Sequence, residues 1–413
     1  MSQAIRYTGA RVIDPASGVD QIRDVIVADG RVLPEGAAAT VAETRAADGL
    51  WITPAFVDLC ARLREPGPKL HGTIASETRA AAAAGFRHLA LPPDTHPVID
   101  HGALATQVIE KAQAAGHARV YPVGALTRGL EGKALAGMGG LKAAGCVAVG
   151  NARKPVASVE TLLRCLEYAG SMDLTVFFSP EEASLATGSA HDGFMAARLG
   201  LVGIPATAET VALATALLLV EQTGVRAHFG QLSCKASVEL VRIAKGRGLP
   251  VTADVAMHQL HLTDAAIDGF NAMAHVRPPL RREEDRQALI AGVREGVIDA
   301  ICSDHQPLDA AAKLAPFAEA LPGMSTLETV LPLGLALVAA GELSPARLIG
   351  ALTASPAQAL GLPVGRLDAA DAGVLLIDPA ARWTVNAGSL LSTGKNSYFL
   401  GQEMTGRVRA HLA

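Results

Sequence analysis

Residues 58–67 read Asp58-Leu59-Cys60-Ala61-Arg62-Leu63-Arg64-Glu65-Pro66-Gly67. They continue a short apolar run, 56–59, with the length and content of a buried strand. Similar runs recur near 87–91, 119–123, 146–149, 175–178, 227–231, 251–255 and 300–303. Alanine-rich helical stretches lie between most of them, for example 73–84, 159–168, 209–222 and 237–247. This alternation of eight strand–helix units predicts an α/β protein built on a (β/α)8 barrel. Chemistry in such barrels sits at the C-terminal ends of the strands. Those ends carry the candidate site residues Cys60, Arg62, Arg64, Asp94, Asn151, Ser179, Gln231, His258, Asp304 and His305.

Outside the barrel the pattern changes. Short β-type runs at 11–14, 24–28 and 31–33 surround an Asp29-Gly30 dipeptide, a strong hairpin signal. A comparable pattern returns at 373–377, 383–385 and 406–412. The expected organisation is therefore a barrel over 53–365 and one small β-module assembled from 1–52 plus 366–413.

Composition narrows the function classes. Half of the 413 residues are apolar and only 18% are charged, so a large core is available. A formal charge of −4 offers no basic patch for nucleic acid. The five cysteines, at 60, 146, 165, 234 and 302, are scattered and form no CxxC pair, which points to a reducing compartment. The first fifteen residues lack the apolar core of a signal peptide, and the apolar runs at 211–220 and 329–340 are too short to span a bilayer. A cytoplasmic location, with no membrane association, is the expectation.

The opening stretch resembles the first-strand motif of cyclic amidohydrolases of the dihydroorotase type, D-x-H-x-H-L-R-E-P-G. The resemblance extends along the chain through 52–59, 138–149, 197–205, 278–289 and 299–307. It implies a barrel with a binuclear metal centre whose bridging water attacks the substrate. At the positions of the two first-strand histidines, this chain has Cys60 and Arg62. A thiolate can ligate zinc, but a guanidinium stays protonated and has no lone pair to give. Asn151 stands where the family has a carboxylate, and Ser179 and Gln231 stand where it has histidines. Asp304 matches the eighth-strand aspartate. Arg62 at about 4 Å from a metal would repel each unit of its charge by roughly 4 kcal/mol at an effective dielectric near 20. Of the family's substrate-carboxylate pair, Arg64 is present, but Asp94 replaces an asparagine and would repel an anion.

These substitutions lead to the expectation that the chain is not an enzyme, needs no cofactor, and has a vestigial site with no metal. Asp304 is expected to accept hydrogen bonds from Arg62 or His305, with Arg62 filling the metals' space. Cys60 is expected to behave as a small buried apolar residue, and Arg64 as a structural or ligand-binding arginine. A salvage zinc site from Cys60, His258 and Asp304 is conceivable, though nothing in the spacing requires it. The resemblance further implies a hetero-oligomeric role, supporting the catalytic chain of aspartate transcarbamoylase in pyrimidine biosynthesis. The alternatives are an active dihydroorotase or hydantoinase-type hydrolase with a rebuilt site, and a metal-free sensor using Arg64.

Overall fold

The computed structural model describes residues 4–34, 36 and 40–412. Eight parallel strands form the central barrel: Phe56–Asp58, Phe86–Leu91, Arg119–Ala125, Ala148–Gly150, Thr175–Phe178, Ala227–Phe229, Val251–Ala256 and Ala300–Cys302. Each pairs with its neighbour in sequence order, as right-handed βαβ units dictate. Beyond the regular ladder the barrel closes through Ala61 and His305, a parallel bridge between the ends of the first and eighth strands. There the Arg62 N–H donates to the His305 carbonyl at 2.9 Å, and the His305 N–H to the Cys60 carbonyl at 3.2 Å. This closure carries Arg62 and Asp304 to the same end of the barrel. The fold class expected from the alternation is the one observed.

Small side chains fill the barrel's interior. Val57, Cys60, Ala90, Val123, Ala148, Ala256, Ala300 and Cys302 pack there with Leu360 beneath them. Larger residues such as Phe56, Phe86, Leu89 and Phe229 face outward against the helices and are fully buried. The low aromatic content fits this division, because a narrow barrel interior has little room for rings.

The second sheet has seven strands. Ala4–Asp14, Val19–Ala28, Arg31–Val32, Val41–Ala46 and Trp51–Pro54 come from the N-terminal part, Val374–Thr384 and Glu403–Leu412 from the C-terminal part. The two parts meet where Val374–Thr384 pairs antiparallel with Trp51–Pro54, Leu375 opposite Thr53. Asp29 and Gly30 both adopt positive φ, 51° and 68°, as a tight hairpin turn demands.

Two departures from the simple alternation matter for the surface. After the fifth barrel strand the chain makes a two-stranded ribbon, Ala190–His191 with Gly203–Ile204, around the short helix Phe194–Leu199. After the seventh strand it runs through 3-10 turns at Met257–Leu260, Asp264–Phe270 and Ala272–Ala274 before the helix Glu283–Glu295. No helix among the described residues is long and apolar enough to cross a membrane.

Candidate functional site at the barrel mouth

Arg62 is the centre of the arrangement. Its Nε donates to Asp94 Oδ2 at 2.9 Å and its Nη1 to Asp304 Oδ1 at 3.2 Å, so one guanidinium forks onto two carboxylates. Arg62 and Asp304 are 8% and 2% exposed, so neither charge has more than a trace of water to solvate it. Burial alone would lower the Arg62 pKa, but Asp94, Cys60 and Asp304 outweigh it and raise it, so the cation is secure. Burial likewise tends to raise the Asp94 pKa, yet the Arg62 charge and hydrogen bond hold it below the ordinary aspartate value. The contact expected between Arg62 and Asp304 is present. The pairing with Asp94 was not anticipated; it neutralises the charge that sequence reading set against an anionic ligand.

Cys60 lies in the same group. Arg62 Nη1 approaches its sulfur at 3.5 Å, and the thiol donates to Asp304 at 3.6 Å. Burial pushes the Cys60 pKa well above its usual value, which keeps the group a thiol despite the cation beside it. Arg64, held at a φ of 61°, donates from Nε to the Pro307 carbonyl at 2.8 Å and so ties the first-strand end to the loop after strand eight. Burial, helped by the like charge of Arg62, lowers its pKa to about 10.

Asn151, Ser179 and Gln231 form separate hydrogen-bonded supports. Thr127 Oγ1 donates to Asn151 Oδ1 at 2.7 Å, and Asn151 Nδ2 donates to the Lys154 carbonyl at 3.0 Å, which shapes the turn after strand four. Gln231 Oε1 accepts from Ser179 Oγ at 3.3 Å and from Arg153 Nη2 at 3.2 Å. The Gln231 N–H, at a φ of 53°, donates to Asp254 Oδ1 at 2.7 Å. Asp254 also pairs with His228 Nε2 at 2.8 Å, which makes His228 a scaffold residue. Arg64, Gln231 and Asp304 are three of the eight non-glycine residues with positive φ among those described. Such backbone strain gathers where a fold is committed to holding side chains in place.

His258 is 1% exposed, and its Nδ1 has no partner among the described residues. Burial lowers its pKa, partly offset by the charge of Asp304, so the ring near the mouth is neutral at pH 7. Of the two donors expected for Asp304, Arg62 is the one observed, and His305 turns elsewhere. Its Nδ1 accepts from the Thr326 N–H at 3.1 Å, so the proton sits on Nε2, which donates to Glu77 Oε2 at 2.9 Å. It gives nothing to Asp304, because the backbone reversal at Asp304 (φ 46°) sends the two side chains to different partners.

Sequence reading missed three carboxylates. Glu77, in the first turn of the helix Ile74–Ala83, is fully buried beneath His305. Asp58 accepts from the Ser303 N–H at 2.8 Å and from the Ser303 hydroxyl, while burial raises its pKa to about 6. Glu181 holds Arg277 through two hydrogen bonds of 2.7 and 3.0 Å. Asp58 opens the first-strand motif and Glu181 lies two residues after Ser179, but neither was given a role; Glu77 lay in no motif singled out.

The binuclear metal centre implied by the resemblance can be tested against these side chains. They do not fit it. The Arg62 guanidinium occupies the space beside Asp304, Asn151 is engaged by Thr127 and the Lys154 carbonyl, and Ser179 meets Gln231, whose oxygen also accepts from Arg153. Among the described residues no three His, Cys, Asp or Glu side chains converge as a metal-holding group, the set of Cys60, His258 and Asp304 included. What the mouth offers is a charge-balanced network of two arginines and two aspartates, buried at Arg62 and Asp304 and open to solvent at Asp94.

Comparison with known proteins fixes the ancestry. A family described as Dihydro-orotase-like matches residues 49–237. A protein of Pseudomonas aeruginosa named "Dihydroorotase-like protein" is 50% identical, over 99% of this chain and 97% of its own length. A protein of Trichlorobacter lovleyi named "Dihydroorotase" is 42% identical, over 96% and 95% respectively. Among solved structures, the L-hydantoinase (dihydropyrimidinase) of Arthrobacter aurescens superposes with a TM-score of 0.86, covering 100% of this chain and 96% of that one at 23% identity, a likeness of fold. The expectation that the chain is not an enzyme does not stand against these findings: relatives at 42–43% identity, aligned over 96–98% of this chain, carry the name of an enzyme. A strand end that differs from a motif is a statement about residues, and activity has to be read from the whole site. On its near-complete alignment with these relatives, the chain belongs to the dihydroorotase-like family of amidohydrolases.

Proposed function

We propose that this chain is a dihydroorotase-like subunit that binds the catalytic chain of aspartate transcarbamoylase and supports its assembly and activity in pyrimidine biosynthesis. The observation that carries the reading is an apolar patch beside the barrel mouth. Phe194 is 75% exposed, Val202 65% and Phe270 51%, and the helix Phe194–Leu199 lies against the turn Asp264–Phe270. Arg198 and Asp268 pair at 3.2 Å between them, so the two aromatic residues sit on one surface rather than on separate loops. Single exposed apolar residues are ordinary, but two phenylalanines and a valine on adjoining elements mark a place for a protein partner. A lasting contact would spread beyond this patch, since obligate interfaces bury on the order of 2,000 Å² or more.

The test is size-exclusion chromatography and carbamoyl-aspartate formation by the transcarbamoylase catalytic chain, with and without this protein. Co-elution as a larger, multi-copy assembly and a higher transcarbamoylase rate are expected. Phe194→Ser combined with Phe270→Ser should separate the two chains while leaving this one folded, because neither ring is buried. Identical elution and identical rates in the presence and absence of this protein would reject the reading.

A second reading, hydrolysis of a cyclic amide of the dihydroorotate or hydantoin type, is favoured by the name that the relatives at 42–43% identity carry. Its measure is turnover of dihydroorotate by the unmodified chain against an Asp304→Ala control. Turnover that disappears in the control supports it, and equal rates in both reject it.

A further inference from the structure

At the opposite end of the barrel, where the third strand begins, a cavity of about 440 Å³ opens between that strand and the helix Gly102–Ala115. Its apolar wall is Ile109, Ala112 and Val120, and its polar rim is Arg87, His117, Arg119 and Tyr121. Two of these rim residues are arginines that share a single carboxylate. Arg87 gives Nε and Nη2 to Asp371 Oδ1 at 3.2 and 2.8 Å, and Arg119 forms an ion pair with the same carboxylate, its Nε 2.7 Å from Oδ2. One unit of positive charge is left over. Arg119 uses one of its donors and its side chain is 61% exposed, so its remaining N–H groups are available to a ligand. His88, behind them, adds no charge: burial, with smaller contributions from Arg87 and Arg119, lowers its pKa to about 4. Its Nε2 donates to the Asp371 carbonyl at 3.1 Å, so Nδ1 is bare and accepts from the Tyr121 hydroxyl at 3.0 Å. The shared carboxylate and Tyr121 thus hold the rim in place before any ligand arrives.

We propose that this cavity is a binding site for a phosphate monoester of a small, flat, largely apolar group. The surplus guanidinium donors match phosphate oxygens in a planar fork, which a lysine would not provide. The volume exceeds what inorganic phosphate needs and falls within the range of about 300–1,000 Å³ typical of small-molecule sites. Ile109, Ala112 and Val120 would cover the ligand's apolar face. The site lies at the end of the barrel away from Arg62 and Asp304, so occupancy would act at a distance from the mouth. The proposal stands independently of the function proposed above.

Isothermal titration at low salt and pH 7.5 with phenyl phosphate, inorganic phosphate and benzoate tests it on the full chain. Phenyl phosphate should bind best: benzoate has about one charge less, and inorganic phosphate lacks the ring. Arg119→Gln should weaken phenyl phosphate by about tenfold or more, given the strength of charge-assisted hydrogen bonds. Its thermal transition should be unchanged, because the residue is largely exposed. Ile109→Ser should weaken phenyl phosphate and leave inorganic phosphate alone. Arg282→Gln, an exposed arginine outside the cavity, should retain wild-type binding. No binding by the wild type, equal affinity in Arg119→Gln, or equal affinity for phenyl phosphate and inorganic phosphate would each overturn the proposal.

Discussion

Replacing Arg62 with methionine should cost about 3–5 kcal/mol of stability at pH 7, because it strands the Asp304 carboxylate, which the fold has already taken out of water. Asp304 is 2% exposed and Asp94 accepts the strongest of Arg62's hydrogen bonds, at 2.9 Å. Methionine conserves much of the volume, so the loss measured would be electrostatic rather than a cavity effect. Acid should shrink it. The folded-state pKa of Asp94 is depressed, so its contribution is present above the ordinary value of 3.8 and is lost as the pH falls through the depressed value. The variant lacks that contribution at every pH, and the gap between variant and wild type should therefore narrow below about pH 4. Adding Asp304→Asn to the variant should recover part of the loss, since a neutral amide is cheaper to leave without a cation than a carboxylate. Urea denaturation of the three proteins at pH 7 and the two single-chain melting curves at lower pH provide the comparison. A loss under about 1 kcal/mol for Arg62→Met would show that water reaches the network and that the ion pair behaves as a surface one.

That network also shows how far the sequence carries. The barrel was legible because its strands are short apolar runs at regular spacing, the pattern of a parallel sheet covered on both faces, and eight such units are the number that closes a (β/α)8 barrel. The Arg62–Asp304 contact was legible for a topological reason: a closed barrel must place its eighth strand beside its first. The Asp29-Gly30 hairpin was legible because few dipeptides accept two successive positive φ values. Asp94 was named but given the wrong neighbourhood. It sits in the loop after the second strand, and the path of that loop depends on packing that no local pattern encodes. The 3-10 turns between 257 and 274 were missed for a related reason, being held by contacts with distant segments rather than by helical periodicity. Reading substituted positions as lost activity also went too far, because residue identity at five positions on four strand ends says what the family's metals would meet and leaves open what the site does.

Glu77→Gln should be the next most damaging change, and nothing in the sequence around it gives warning. The helix Ile74–Ala83 begins with Thr73 and Ser76 capping each other's backbone, which sets Glu77 in its first turn facing inward. There it joins three distant parts of the chain. Glu77 Oε2 accepts from His305 Nε2 at 2.9 Å and from Ser392 Oγ at 2.6 Å, and Oε1 accepts from the Thr393 N–H at 3.0 Å. Burial would raise the pKa of this carboxyl, but the hydrogen bonds from His305, Ser392 and the Thr393 N–H reverse it and hold the value at about 2. Against an ordinary value of 4.5, that shift corresponds to about 3 kcal/mol of stability at pH 7, at about 1.4 kcal/mol per unit. The contribution is complete above pH 4.5 and should fade as the pH falls towards 2. Glutamine keeps the shape and one acceptor but brings an N–H₂ against donors, so it should lose most of that energy at pH 7 and little near pH 2. Because His305 follows Asp304, loosening the Glu77 anchor should also relax the strand end that presents Asp304 to Arg62. Amide hydrogen exchange should then rise at 303–306 and 392–393 together, with the distant hairpin at 28–31 unaffected. Uniform exchange across the whole chain, or protection at 303–306 equal to wild type, would show that Glu77 is a local helix cap and not the tie between the barrel mouth and the C-terminal segment.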